Sequence, residues 1–200
     1  MVEVVIFDLG GVLIDWNPRY LYRKLFDDEA EMERFLATVC TKSWNERQDA
    51  GRPVAEAVAE LVARHPAQAA LIEAYYARFP EMIDGSLEDS VAVLAELRAR
   101  DVPLYCLTNF SAETFPHARA RFEFLDWFRG ILVSGEVGMR KPDPRIYRLF
   151  LRRYGVDAVK AVFIDDVAAN VAGADAVGIT GLHFSSASTL RRDLAALGLL

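Results

Sequence analysis

From residue 86 onward, the sequence alternates short hydrophobic runs, rich in β-branched residues, with stretches of helical spacing. This alternation constrains the fold more than any other feature, because a repeated succession of strand and helix is typical of a parallel sheet covered by helices. Another hydrophobic run opens the chain at residues 2–7. The expected fold class is therefore α/β, with a Rossmann-like three-layer core around a parallel sheet. The later predicted strands are PLYCLT at 103–108, GILVS at 130–134, AVFIDD at 161–166 and TGLHF at 180–184.

Residues 17–83 follow a different pattern, with hydrophobic residues at helical spacing and no convincing strand. Because this stretch interrupts the chain after the first strand, we expect a small all-helical cap domain inserted there, above the end of the sheet. The expected domains are a Rossmann-like core formed by residues 1–14 and 86–200, and a helical cap formed by residues 15–85.

Composition limits the partners and the compartment. The 200 residues are 52% hydrophobic, which is ample for a buried core, and the net charge of −6 gives no general attraction to nucleic acid or to an anionic membrane. No run reaches the roughly 20 apolar residues of a membrane span, and residues 1–15 lack the basic start of a signal peptide. We expect a cytoplasmic monomer or homodimer with two reduced, buried cysteines.

Polar residues follow the predicted strands at the points where the strands end. In an open parallel sheet, ligands bind outside the carboxyl ends of the strands, so these residues are expected to converge on one small volume. They comprise three carboxylates, a hydroxyl, two amides and one lysine. The residues are Asp8, Thr108, Asn109, Lys141, Asp165, Asp166 and Asn170.

This collection predicts phosphoryl chemistry. Three neighbouring carboxylates repel one another unless a cation or raised pKa values intervene, and all-oxygen ligands of this kind suit Mg²⁺. Lys141 supplies a positive charge and Thr108 a hydrogen-bond donor, both of which a phosphoryl group requires. The carboxylate of Asp8 can attack phosphorus to form an aspartyl phosphate.

The motifs that carry these residues resemble those of a known family. The stretches FDLGGVL, LTN, RKPDPRIY and FIDDVAANVAGA, in this order and spacing, are similar to the four motifs of the haloacid dehalogenase (HAD) superfamily. The likeness is greatest to its phosphatase branch with a helical, C1-type cap, and it covers essentially the whole chain. The resemblance implies a hydrolase that acts on phosphate monoesters.

The resemblance also implies roles for individual residues. Asp8 would be the nucleophile and a Mg²⁺ ligand, while Thr108 and Lys141 would hold the phosphate. The backbone carbonyl of Gly10 and the carboxylate of Asp166 would complete the metal site.

Three further residues take supporting roles in the same comparison. Asp165 would support Asp166 or reach the metal through water. Asn109 would line the phosphate or substrate pocket, and Asn170 would lie behind the metal ligands.

The sequence departs from the phosphatase pattern at Gly10. That position usually carries a second Asp, which protonates the leaving oxygen and later activates the hydrolytic water. General acid–base catalysis is typically worth about 10²- to 10⁴-fold, so its loss predicts a modest enzyme or one that favours good leaving groups. Members with this FDLG motif include sugar-phosphate phosphatases. A cap residue or Asp15, just past the loop, is a candidate substitute acid.

Two other functions remain as alternatives. A metal-independent 2-haloacid dehalogenase would use the same aspartate, but that branch resembles a pattern with Thr at Val12 and Ser-Asn at the Asp165-Asp166 pair. A catalytically weak protein that binds a phosphorylated ligand stays open because of Gly10. The preferred function is a Mg²⁺-dependent phosphatase of a small phosphorylated metabolite, with a sugar phosphate as one candidate. Arg140 is expected to be a solvated surface charge outside the site, and the three histidines are expected to be surface or packing residues.

Overall fold

Seven strands form two sheets in the computed structural model, which describes residues 2–200. Five of the strands build a parallel sheet, and all five lie where the sequence predicts them, with ends that are shorter by one or two residues. The strands are β1 (Val4–Phe7), β2 (Ile14–Trp16), β3 (Ile83–Ser86), β4 (Leu104–Thr108), β5 (Gly130–Val133), β6 (Ala161–Asp165) and β7 (Thr180–His183). The order in the parallel sheet is β5-β4-β1-β6-β7, which places β1 at the centre.

Helices occupy residues 19–82, which we call the helical segment. Short 3₁₀ turns at Pro66–Gln68 and Phe79–Met82 join or end them. The helices are α1 (Arg19–Tyr22), α2 (Glu29–Thr38), α3 (Lys42–Asp49), α4 (Val54–Arg64) and α5 (Ala69–Ala77).

Two short strands flank the helical segment. β2 and β3 pair antiparallel and connect it to the rest of the chain. The expectation of no strand in residues 17–83 was wrong at Ile83, where β3 begins, because strands of three or four residues are too short to show a period. The division into core and cap domains at residues 14 and 86 stays a prediction.

The remaining helices cover the faces of the parallel sheet. They are α6 (Glu88–Ala99), α7 (Phe115–Arg121), α8 (Ser134–Val137), α9 (Pro144–Tyr154), α10 (Ala168–Asp175) and α11 (Ala187–Ala196). As the sequence predicts, Asp143 caps α9, where its side chain accepts a hydrogen bond from the backbone N–H of Arg145. Among the described residues, none of the helices has the length and apolar character that a membrane crossing needs.

The parallel sheet is buried on both faces. In β1, Val5 and Phe7 pack into a core cluster on one face, while Ile6 packs into a second cluster on the other. A strand covered on both sides is expected to be continuously hydrophobic, as β1 is. Asp8 is therefore the first polar residue that the chain presents after it leaves the sheet.

The helical segment packs continuously onto the sheet. The first core cluster extends from Phe7 into the helical segment through Tyr22 and Phe79. The Phe79 ring lies 5.6 Å from the ring of Phe110, which follows β4. This apolar contact holds the helical segment above the carboxyl ends of the strands. Cys40 and Cys106 are both buried free thiols, as predicted.

Phe150 tests the packing of the second cluster. Its fully buried ring lies 5.9 Å from the ring of Tyr105 and 4.9 Å from that of Tyr154. Phe150→Ala is expected to lower the free energy of unfolding by about 3 to 5 kcal/mol, because it leaves a cavity among these side chains. Urea titration measures the change. The control Val159→Ala, at a position 70% exposed, is expected to stay within about 0.5 kcal/mol of the wild type. Equal effects of the two substitutions would contradict the packing described here.

Candidate active site

The site is built around the buried ammonium group of Lys141. Its Nζ lies 2.8 Å from Asp8 Oδ1 and 2.6 Å from Asp165 Oδ2, and it donates a hydrogen bond of 3.0 Å to the carbonyl oxygen of Leu107. The Lys141 side chain is fully buried. A lysine ammonium has three donors, so all of them have partners here. Lys141 thus joins the ends of β1, β4 and β6.

Asn109 fixes the loop that carries Lys141. Its Oδ1 accepts a hydrogen bond of 2.8 Å from the backbone N–H of Lys141, and its Nδ2 donates one of 3.0 Å to the carbonyl oxygen of the same residue. Both ends of the amide side chain are therefore engaged with the loop. The predicted contact between Asn109 and a substrate stays a prediction.

Asp165 is held at both carboxylate oxygens. Oδ1 accepts the backbone N–H of Val167 at 2.8 Å, and Nδ2 of Asn170 lies 3.0 and 3.1 Å from the two oxygens. Together with Lys141, these donors satisfy most of the hydrogen-bonding capacity of the carboxylate. Asn170 therefore acts on Asp165, from behind the site.

The three predicted carboxylates converge. Oxygen atoms of Asp8, Asp165 and Asp166 all lie within 4.8 Å of one another. Burial raises the pKa of Asp8 to about 7, the attraction of Lys141 opposes that rise, and the charge of Asp165 adds to it. Burial and the charge of Asp165 also raise the pKa of Asp166, against the effect of Lys141 and Lys42. The cluster thus concentrates negative charge that a cation would relieve.

Two glycines shape the loop after Asp8. Gly11 has a φ of +73°, and a Cβ atom there would overlap the carboxylate of Asp166, so glycine permits both the turn and the close approach. A Cβ atom at Gly10 would meet no atom within 4 Å. Packing therefore does not force the absence of a side chain at Gly10. Its carbonyl as a metal ligand stays a prediction.

Thr108 ends β4 beside the end of β1. It is buried, and the register pairs Phe7 with Cys106, so Asp8 and Thr108 leave neighbouring strands at the same edge of the sheet. Asp15, the candidate substitute acid, accepts a hydrogen bond of 2.8 Å from the Tyr20 hydroxyl.

Sequence reasoning missed two residues that adjoin the site. Arg140 Nη2 lies 2.9 Å from Glu46 Oε2 in α3, so it connects the Lys141 loop to the helical segment. His183 Nε2 lies 2.9 Å from the backbone oxygen of Asp166. The position of Arg140 next to Lys141 was a signal for the first, while no motif marked the second.

A parallel sheet whose first strand leads directly into Asp8, within a cluster of three carboxylates, is an arrangement found in a class of hydrolases, and comparison with known proteins identifies that class. The model of the haloacid dehalogenase-like hydrolase family matches residues 2–178. The chain therefore belongs to that family. The expectation of an enzyme, and of a hydrolase, is confirmed.

Curated relatives and solved structures agree with the family. The chain is 28% identical to a sesquiterpene phosphatase from Aspergillus oryzae over 186 residues, which is 92% of this chain and 90% of that protein. It is 27% identical to a phosphatase from Mycobacterium tuberculosis over 98% of this chain and 95% of that protein. A HAD family enzyme from Bacteroides thetaiotaomicron, solved with magnesium and inorganic phosphate, has the same fold, with a TM-score of 0.69, 21% identity and coverage of 92% and 95% of the two chains.

The raised pKa of Asp8 predicts a pH-dependent stability. The folded-state pKa of Asp8, about 7, lies above the ordinary value of 3.8. In metal-free protein, protonated Asp8 therefore contributes fully to the free energy of unfolding below pH 3.8, and this contribution is lost as pH rises through 7. As pH rises from about 6 to about 8, the wild type should therefore lose about 1 kcal/mol of unfolding free energy relative to Asp8→Asn, because Asn does not titrate. Urea titrations in EDTA at the two pH values measure the difference. A difference that does not change with pH would contradict the prediction.

Proposed function

We propose that the protein is a Mg²⁺-dependent phosphatase that hydrolyses a small phosphorylated metabolite through an aspartyl phosphate on Asp8. The observation that carries this proposal is the buried Lys141 ammonium between Asp8 and Asp165, with Asp166 beside them. A fixed positive charge next to a carboxylate nucleophile suits a dianionic phosphate ester. The phosphatase names of the curated relatives support the same substrate class.

The donor set fits Mg²⁺. Its oxygens come from carboxylates that lie within 4.8 Å of one another, and Mg²⁺ prefers such oxygen ligands. Because Lys141, Asn170 and a backbone N–H already engage Asp165, we propose Asp8, Asp166 and the Gly10 carbonyl as the direct ligands, with Asp165 in support. When bound, the ion would neutralise charge on the transferring phosphoryl group.

The protein groups then have distinct roles. The backbone N–H of Leu9 donates a hydrogen bond of 2.7 Å to Asp8 Oδ1 and so fixes the orientation of the carboxylate. An Asp8 oxygen forms a bond to phosphorus as the bond to the leaving oxygen breaks, and water then releases phosphate and restores the carboxylate. The Thr108 hydroxyl would hold a phosphoryl oxygen during both steps, and Lys141 would hold another with the donor that now pairs with Asp8, once the Asp8 oxygen bonds to phosphorus.

The proposed substrates follow from Gly10 and from the relatives. Without an acid at Gly10, esters with good leaving groups are favoured, so anomeric sugar phosphates and acyl phosphates are the first candidates. The name of the Aspergillus relative adds terpenyl phosphates to them.

The test is phosphate release from p-nitrophenyl phosphate, acetyl phosphate, glucose 1-phosphate and a prenyl phosphate, in Mg²⁺ and in EDTA. We expect turnover that needs Mg²⁺ and falls to background in Asp8→Asn, because that substitution removes the attacking oxygen. Asp166→Asn should raise the Mg²⁺ concentration needed for half-maximal rate. The control Asp126→Asn changes a side chain that is 69% exposed and should match the wild type.

Two outcomes would replace this proposal. Chloride release from 2-chloropropionate in EDTA, without phosphate release from any ester, would establish a dehalogenase. Mg²⁺ binding measured by calorimetry, again without phosphate release, would indicate a protein that binds a phosphorylated ligand without turning it over.

A further inference from the structure

The end of helix α3 contacts the stretch of chain that follows β5. The backbone oxygen of Asp49, the last residue of α3, accepts a hydrogen bond of 2.5 Å from Ser134 Oγ. Two residues further on, at Gly51, φ is +91°, and a Cβ atom there would lie 3.0 Å from the carbonyl oxygen of Gly135 and 3.3 Å from Gly138 Cα. These contacts hold the end of α3 against the chain between Ser134 and Gly138.

Beyond Gly138 the contact opens into a cleft of about 300 Å³. The cleft is lined by Ala50 of the helical segment, by the Lys141 loop, which comprises residues 138–143, and by Arg145. Atoms that border open space have fewer packing partners than atoms in a close-packed interior. Packing alone therefore does not fix this side of the Lys141 loop.

An ion pair joins the helical segment to the Lys141 loop beside this cleft. Arg140 Nη2 lies 2.9 Å from Glu46 Oε2 in α3, and the two side chains keep only 34% and 28% of their surface exposed. A partly buried pair is screened by salt less than a fully exposed one. The pair can thus hold the loop where packing does not.

The guanidinium group of Arg140 also reaches the backbone of Lys141. Its Nη1 lies 3.4 Å from the Lys141 carbonyl oxygen, which also accepts the hydrogen bond of 3.0 Å from Asn109 Nδ2. The backbone N–H of Asp143 donates a hydrogen bond of 3.0 Å to the Arg140 carbonyl oxygen and closes a tight turn that contains Lys141. Because this turn is short, a displacement of Arg140 displaces Lys141 as well.

Lys141 connects this turn to the nucleophile, since its Nζ lies 2.8 Å from Asp8 Oδ1. A continuous series of contacts therefore runs from Glu46 through Arg140 and Lys141 to Asp8. A charged donor stabilises a transferring phosphoryl group only while it is correctly placed, and small displacements of such a group are costly.

We propose that Arg140 is a positioning residue which, held by Glu46, keeps Lys141 in place for phosphoryl transfer. This inference rests on the proposed phosphatase function. Arg140 acts through Lys141, because it restrains the loop at the cleft, where the loop has room to move. If α3 leaves the loop, the ion pair breaks and Lys141 loses this restraint. The catalytic lysine is thus fully positioned only while α3 is docked.

The experiment compares the wild type with Glu46→Gln, Arg140→Met and the double variant, using p-nitrophenyl phosphate and acetyl phosphate with Mg²⁺. Each single substitution is expected to lower kcat/KM by about 10- to 100-fold, because a displaced catalytic group costs about this much. The factor should be the same for both esters, since they share the phosphoryl group. The double variant should lose no more than the worse single variant, because the two residues act as one unit.

Two further measurements report on the position of Lys141. The inhibition constant of orthovanadate, which mimics the transferring phosphoryl group, should rise by the same factor as kcat/KM falls. Arg140→Lys keeps a charged donor for Glu46 and should recover most of the activity that Arg140→Met loses. Urea titration shows whether each variant is folded, and Glu46→Gln provides the test on its own if Arg140→Met does not fold.

Matched control variants separate this role from general support of the helical segment. Glu33→Gln breaks another partly covered ion pair, with Arg19, in which both residues belong to the helical segment. Glu113→Gln alters a different contact between the helical segment and the core, in which the carboxylate accepts the backbone N–H of Val54 at 2.7 Å. Both variants should stay within about twofold of the wild type, because neither contact involves the Lys141 loop.

Three results would overturn the inference and leave the phosphatase proposal standing, provided that turnover still needs Asp8 and Mg²⁺. An unchanged rate in Arg140→Met would give Arg140 no role. Losses that multiply in the double variant would show that Glu46 and Arg140 act separately. An equal loss in Glu113→Gln would make the ion pair one of several general docking contacts. If the wild type releases no phosphate from any ester, the proposed function and this inference fail together.

Discussion

The buried ion pairs of Lys141 are the interaction on which the rest of the site depends. Taking an ammonium group and two carboxylates out of water is expensive, and removing one partner from such a group leaves an uncompensated buried charge. Lys141 meets Asp8, Asp165 and the Leu107 carbonyl, and its Nζ also lies 5.2 Å from the centre of the Phe163 ring. These charges are buried at the point where three strands end, and ligands of open parallel sheets bind outside such strand ends.

The register of the sheet makes this arrangement possible. Phe7 pairs with Cys106 on one side and with Ile164 on the other, so the residues that follow β1, β4 and β6 leave the sheet side by side. Each strand is apolar up to its end because helices cover both faces, and the first polar residues therefore gather at one edge. Local structure and packing thus decide together where the charges lie.

The sequence predicted the parallel strands and the carboxylates well, because both follow from local patterns. The parallel strands are continuous hydrophobic runs that can be seen within a few residues, and Asp8, Thr108 and Asp165 stand at the end of a strand or directly after it. The contacts of α3 could not be predicted in this way. Arg140 and Glu46 are 94 positions apart, and their pairing depends on how the helical segment folds back over the sheet. The Arg140 side chain keeps 34% of its surface exposed, so the rule that assigns arginine to the surface holds here without revealing the partner.

The open space at Gly10 changes what the missing acid means. If packing excluded a side chain at Gly10, the absence of an acid there would be a consequence of the fold. However, no atom lies within 4 Å of the position that a Cβ atom of this residue would take. The missing acid is therefore a feature of the sequence at this position, since the neighbouring loops leave room for the Cβ atom of a side chain.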